Sequence, residues 1–468
     1  MTMTLAVTIL MAILWITEAI PIAVTSLLPI VFFPVLGILD GKAVSTTYIN
    51  YIIFLFIGGF MMALALEKWN LHKRIALKIL TLLGSNPLKI ILGFMLATAF
   101  LSMWISNTAT TMMMVTIAFS VQQSLSKNFD ETSLKSFSTA LFLCIAYSAS
   151  VGGITTLVGT APNLSFLRIF EISYPRGADI SFGNWMFFAL PITILMLGAI
   201  LLVLHFLYPI KTKTQTSKDV FKTAYEKMGH MTPPEKRVLW LFGGLIFLWV
   251  FRKPLQIGSF ILPGWSEFLG NPKWINDGTT AIFIAVLLFM IPSQKGSKIA
   301  LMDWEITKKF PWDILFLLGG GFALAKGFTT TGLADYVGSM VTDYAGSDAN
   351  ILMITATTLM SLATEFTSNT ATTEMLLPII GGIANKAQVH PLLLMLPVTL
   401  AASMAFMFPV ATPPNAIVFG TGQLKIKDML KTGIALNTIA VLLVCLITYF
   451  WASVALGVDF SDIAFMKK

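Results

Sequence analysis

Apolar residues gather in twelve stretches along the chain, at about 3–20, 22–38, 50–66, 88–121, 138–170, 184–208, 237–251, 279–292, 312–325, 349–382, 391–421 and 431–455. Several match the roughly 20 residues that cross a bilayer core of about 30 Å. The stretch 88–121 does not. Its 34 residues would make a straight helix of about 51 Å at 1.5 Å per residue, too long for one crossing. At its middle stand Ser106, Asn107 and Thr108, small polar residues that compete for backbone hydrogen bonds and break helices. The pattern predicts a re-entrant hairpin, two short arms meeting at a polar tip. Stretch 349–382 has the same length and its own tip, Ser368, Asn369 and Thr370.

The two tips are copies. Ser106-Asn107-Thr108-Ala109-Thr110-Thr111 recurs letter for letter 262 residues later as Ser368-Asn369-Thr370-Ala371-Thr372-Thr373. Gly58-Gly59-Phe60 recurs as Gly320-Gly321-Phe322 at the same offset. Further on, Gly159-Thr160-Ala161-Pro162-Asn163 matches Ala411-Thr412-Pro413-Pro414-Asn415 at an offset of 252. Three landmarks in one order mark an internal duplication. A single Ser-Asn-Thr inside a membrane helix is ordinary packing glue. Packing alone does not account for a duplicated one at the centre of two overlong segments.

Charge sets the relative orientation of the halves. Lys68, Lys73, Arg74, Lys78 and Lys89 precede or open the first hairpin, with no acidic residue among them. The matching part of the second half, from Gly327 to Asn385, has no Lys or Arg and carries Asp335, Asp343 and Asp348 ahead of its hairpin. By the positive-inside rule the first hairpin enters from the cytoplasm and the second from outside. The repeats are then inverted. The expected organisation is a first membrane helix (1–21), a first repeat (22–208), a cytoplasmic connector (209–237), a second repeat (238–455) and a tail (456–468).

Composition removes whole classes of function. Of 468 residues, 56% are hydrophobic and 12% are charged, about half the charge of an ordinary soluble domain. Mean hydropathy is +0.81. A soluble enzyme, a disordered scaffold and a nucleic-acid binder are excluded. The net charge of +8 sits in short stretches between apolar runs, as in cytoplasmic loops. Cys144 and Cys445 lie in apolar runs and make no disulfide framework. The first stretch lacks a basic n-region and contains Glu18, so it reads as a membrane helix and not as a cleaved signal.

Inverted repeats with discontinuous helices build one site near the bilayer midplane, reached alternately from each side. Both tips offer hydroxyls, amides and helix N-termini, which favour anions. Pro162, Pro413 and Pro414 break the second pair of long segments and free carbonyls one turn earlier. Those carbonyls, with Ser, Thr and Asn oxygens, are hard ligands for Na⁺ or another small cation. No phosphate-loop motif is present, and His72, His205, His230 and His390 are scattered, so ATP hydrolysis, a zinc site and a His-based triad are not indicated. Neither hairpin core nor either break contains Lys or Arg. A dianion there would be balanced by dipoles and co-bound cations. Among the carboxylates in apolar context, Glu365 and Glu374 flank the second tip as proton or cation candidates, while Glu18 and Asp313 read as interfacial. The run Gly319-Gly320-Gly321 reads as a close-packing surface.

These residues match a known pattern. Trp15-Ile-Thr-Glu18-Ala-Ile-Pro21, Ala23-Val24-Thr25, Pro311-Trp312-Asp313 through Gly321, both Ser-Asn-Thr tips and Ala411-Thr-Pro-Pro-Asn415 resemble the divalent anion:sodium symporter family over nearly the whole chain. The resemblance implies an all-α polytopic membrane protein with a scaffold and an elevator-like transport domain, paired as a homodimer in the cell membrane. It implies transport of C4 and C5 dicarboxylates such as succinate, malate, fumarate and 2-oxoglutarate, by Na⁺ symport or by exchange. It places substrate on Ser106, Asn107, Thr108, Ser368, Asn369, Thr370, Thr412 and Pro413. It places one Na⁺ site at Ser102, Ser106, Asn107 and Gly159, and the other at Thr364, Thr367, Asn369 and Ala411. Ala161 departs from the family, where many members have a second Pro as at Pro413. Sulfate or citrate is the alternative cargo, since hydroxyl and amide donors do not encode anion shape. An anion channel is disfavoured because two hairpins close one midplane site.

Overall fold

A computed structural model describes residues 1–83, 86–126, 129–210, 219–257, 260–296 and 298–466. Part of the expected connector, 211–218, lies outside the described residues. The chain opens with α1 (Thr2–Thr17) and then runs through three short helices, α2 (Ile22–Thr25), α3 (Leu28–Val35) and α4 (Gly41–Tyr48). Next come α5 (Tyr51–Lys68) and the amphipathic α6 (Leu71–Leu83). The first overlong stretch is two helices, α7 (Pro87–Ser102) and α8 (Asn107–Leu125), and the next long stretch is also broken, into α9 (Glu131–Gly153) and α10 (Ala161–Ser173). The first half closes with α11 (Phe182–Leu207) and a short α12 (Asp219–Lys227).

The second half opens with α13 (Pro233–Val250) and α14 (Asp277–Met290), and between them a short antiparallel hairpin pairs Leu255–Ile257 with Phe260–Leu262. It continues through α15 (Trp312–Thr331), α16 (Leu333–Ala345), α17 (Ala349–Ala363) and α18 (Asn369–Ala387). The broken pair α19 (Pro391–Ala402) and α20 (Pro413–Gly420) precedes the long α21 (Ile426–Leu456). Among the described residues, five helical spans are long and apolar enough to cross a membrane: 41–68, 131–153, 182–207, 312–331 and 426–456.

Local chemistry sets these boundaries, and it does so twice. Asn86 caps α7 by accepting from the Leu88 N–H, and Asp348, 262 residues on, caps α17 by accepting from Asn350 and Ile351. Ser106 caps α8 through the Ala109 N–H, and Ser368 caps α18 through the Ala371 N–H. Such caps satisfy N–H groups that a helix start leaves without partners. The corner between α5 and α6 turns through Asn70 at φ 55°, and that between α15 and α16 through Gly332 at φ 71°. Helices α6 and α16 have 13 residues each, and α8 and α18 have 19 each.

Packing places the tips at the centre. Helix α9 is buried on all sides from Phe137 to Gly153, the signature of a central element. Glycines let backbones meet around it: a Cβ on Gly152 would stand 2.3 Å from the Ala99 carbonyl of α7. The expected packing role of the glycine run on α15 holds. Gly319 lies against the Tyr48 ring, Gly320 against Ser26 and Gly321 against the Glu374 carboxyl. On the periphery, α21 exposes Ile434, Leu442, Leu446 and Phe450, an apolar face that only lipid or another apolar surface would cover.

Candidate functional site

Four interrupted helices bring the duplicated motifs to one cavity of about 500 Å³. Its wall contains both tips, Ser106 to Thr108 and Ser368 to Thr370, together with Gly159, Thr367, Ala411, Thr412 and Pro413. Residues that are 300 apart in the chain thus share one chamber. Ser102 and Thr364 stand behind the wall, fully buried.

Each tip is held by the same local bonding. Ser102 Oγ donates to Asn107 Oδ1 and to the Ala149 carbonyl, which is 2.7 Å away. Thr364 Oγ1 donates to Asn369 Oδ1 at 2.6 Å and to the Ala402 carbonyl at 2.7 Å. The asparagine oxygen, a hydroxyl and a backbone carbonyl of a third helix meet at both places. Such a cluster of neutral oxygens is the donor set a small hard cation takes.

The breaks are held alike too. Asn163 Nδ2 donates to the Thr156 carbonyl at 2.7 Å, and Asn415 Nδ2 donates to the Ala405 and Phe408 carbonyls at 3.1 and 3.0 Å. Both Oδ1 atoms are buried without a partner. These two asparagines belong to the repeated motif, and their clamp role is visible only in three dimensions. Thr160, which shares the chamber, was likewise within the motif and unassigned.

Glu365 has a definite structural role. Its carboxylate accepts from the backbone N–H groups of Phe406, Met407 and Phe408 and from Asn437 Nδ2 at 2.7 Å. All its bonding capacity goes to holding the second break. Glu374 is fully buried, accepts from Ser165 Oγ and leaves Oε2 unpartnered. It lies outside the chamber wall. Glu18 and Asp313, expected at interfaces, are exposed and stand on the chamber's rim.

The electrostatics follow from helix ends. The N-termini of α8, α10, α18 and α20 all face the chamber, through Asn107, Ala161, Asn369 and Pro413. Each helix N-terminus acts as about half a positive charge, so four give about two. Among the described residues, no Lys or Arg lines the chamber.

Two further spaces lie along α8. A groove of about 1080 Å³ lies between α6, at Lys73, Arg74 and Leu77, and α8, at Thr116, Ser120 and Val121. A second cavity of about 510 Å³ lies between the end of α5 and the start of α8. The corresponding helices of the second half touch: a Cβ on Gly338 of α16 would stand 2.3 Å from the Gly382 carbonyl of α18.

A bundle of membrane-spanning helices whose broken ends converge on one chamber has the layout of a membrane transporter. A family model described as the sodium:sulfate symporter transmembrane region matches residues 1–457. The chain is 41% identical over 463 residues to the sodium-dependent dicarboxylate transporter SdcS of Staphylococcus saprophyticus, covering 97% of this chain and 87% of that one. SdcS of Staphylococcus aureus is 41% identical over 468 residues, covering 98% and 87%. Among solved structures, the fold is similar to MtrF of Neisseria gonorrhoeae, with a TM-score of 0.56 at 14% identity over 88% of this chain and 84% of that one. The YdaH transporter of Alcanivorax borkumensis gives a TM-score of 0.54 at 13% identity over 90% and 87%. The chain belongs to the sodium:sulfate symporter transmembrane family and is a multi-pass membrane transporter.

Proposed function

We propose that this protein carries C4 and C5 dicarboxylates into the cell by Na⁺-coupled symport, through one chamber shared by two inverted repeats. The carrying observation is the convergence of four helix N-termini on a chamber without a basic side chain. Their combined dipoles, about two positive charges, match a dianion. The tip hydroxyls and amides, with Thr412 and Pro413, hold the two carboxylates. Two Na⁺ bind beside the tips, one among Ser102, Ser106, Asn107 and Gly159, the other among Thr364, Thr367, Asn369 and Ala411. With both ions bound the loaded site carries no net added charge, which lowers the cost of moving it through the membrane. The relatives named as sodium-dependent dicarboxylate transporters favour symport over exchange.

In this reading α7–α8 and α17–α18 are hairpins entering from opposite faces, and they move with the broken helices as an elevator against a scaffold. The protein works as a homodimer in the cell membrane. The open groove beside α8 and the closed seam beside α18 correspond to the inward-open state. Labelled succinate uptake into proteoliposomes tests the coupling. Uptake into empty vesicles that requires an inward Na⁺ gradient is expected. Uptake only into vesicles preloaded with dicarboxylate, indifferent to Na⁺, would replace symport with exchange.

A further inference from the structure

Beside the chamber, the 510 Å³ cavity at the end of α5 differs from it in the charged side chains of its wall. The chamber's charged lining is Glu18 and Asp313. The cavity's is Lys68, Lys73 and Lys309 against Glu67. The formal lining charge is therefore −2 in one and +2 in the other. Burial holds the His72 imidazole, also in the cavity wall, below its usual range, so the positive sign comes from the lysines. Lys68 pairs with Asp303, while Lys73 and Lys309 are exposed.

The two spaces are lined by successive parts of the same helices. Along α5 the chamber is lined by Phe56, Gly59 and Phe60, and the cavity by Leu64, Glu67 and Lys68, one to two turns further on. Along α8 the chamber ends at Thr108 and the cavity begins at Ala109 and Thr110. Thr110 is 2% exposed, and among the described residues its Oγ1 has no partner. A buried hydroxyl with unused bonding capacity costs free energy unless something bonds it, and here it belongs to the cavity wall. The second half has no counterpart. At the 262 offset, Lys68 and Lys73 correspond to Thr330 and Asp335.

We infer that the cavity lined by Lys68, Lys73, Lys309 and Thr110 is a second anion site, which receives small dicarboxylate dianions between the chamber and the cytoplasm. This rests on the proposed function and adds a way station to it. A cavity lined by one sign of charge between low-dielectric walls concentrates ions of the other sign, and salt weakens the effect. The site gives the cytoplasmic face a higher affinity for dianions than the outer face, which lacks these lysines.

Face-resolved transport tests it, with labelled succinate in right-side-out and inverted vesicles. Lys73→Gln with Lys309→Gln should raise the cytoplasmic-face KM by about 3- to 10-fold and flatten its dependence on ionic strength. The outer-face KM should not change, and Lys73→Arg with Lys309→Arg should restore the cytoplasmic value. An unchanged cytoplasmic KM, or an equal rise at both faces, would overturn the inference. Asn107→Ala run in parallel separates the two readings. Retained transport by that variant sinks the chamber itself, whatever the lysine variants do.

Discussion

The first and second hairpins use the same bonding at their tips and opposite packing along their arms. At the tips, Ser102 with Asn107 and Thr364 with Asn369 make matching contacts to a backbone carbonyl of another helix. Along the arms, α8 faces open grooves while α18 is closed on α16 by Gly338 and Gly382. Local hydrogen bonds are fixed by sequence, so a duplication carries them along. The fit of an arm against its neighbour is a tertiary choice that each half can make independently. One sequence pattern thus supplies two alike tips and two differently packed arms.

The comparison breaks most severely at Glu365, which has no counterpart in the first half, where Met103 stands at the 262 offset. Glu365→Ala orphans three backbone N–H groups of the second break and should cost about 3–5 kcal/mol, since each buried donor left without a partner costs about 1–3 kcal/mol. A melting curve measures it. Met103→Ala in the first half should lose much less, and equal losses would mean the break is not held through Glu365.

The seam comes next. Gly382→Leu drives a side chain toward the Ala334 carbonyl, 2.0 Å from where its Cβ would stand, and should destabilise the protein by about 3 kcal/mol. Ser120→Leu, at the equivalent place on α8, points into open groove and should change stability by less than about 0.5 kcal/mol. Its expected effect is on turnover, because the groove could no longer close.

The tips should respond alike. Asn107→Ala and Asn369→Ala each remove bonds on the shared chamber and should weaken stabilisation by succinate plus Na⁺ by about 2 kcal/mol, or some 30-fold in affinity. Thermal shift reads this directly. A large loss from one and none from the other would make the chamber asymmetric.

The smallest effect concerns pH. His390, in the connection between α18 and α19, accepts from the Leu392 N–H and packs against Phe460 and Phe465. Burial pushes its imidazole from 6.5 down to about 4, so the unfolded chain takes up the proton first. This contribution is fully present above pH 6.5 and is lost as pH falls toward 4. Melting temperature should fall over that window, and His390→Asn, which keeps a capping oxygen, should shrink the fall.

Much of this was legible in the sequence. The overlong stretches, their polar tips and the 262 offset foretold where α7, α8, α17 and α18 would break, because Ser, Asn and Pro act on the backbone within a turn. The roles of Asn163, Asn415 and Glu365 were not legible. Each bonds carbonyls or N–H groups several turns away or on another helix, and no local rule specifies that reach. Nor could the sequence say which arm would be open, since both halves carry small residues at the seam position, Ser120 and Gly382.

Two copies of one motif that enter the membrane from opposite faces to build a single chamber must differ in which side reaches them. Leu82 and Tyr344 sit 262 residues apart near the ends of α6 and α16, exposed by 73% and 93%. Leu82→Cys and Tyr344→Cys, each in a background lacking Cys144 and Cys445, can be labelled with a membrane-impermeant maleimide applied to one face at a time. Leu82→Cys should react only from the cytoplasm and Tyr344→Cys only from outside. Labelling of both from the same face would contradict entry from opposite faces.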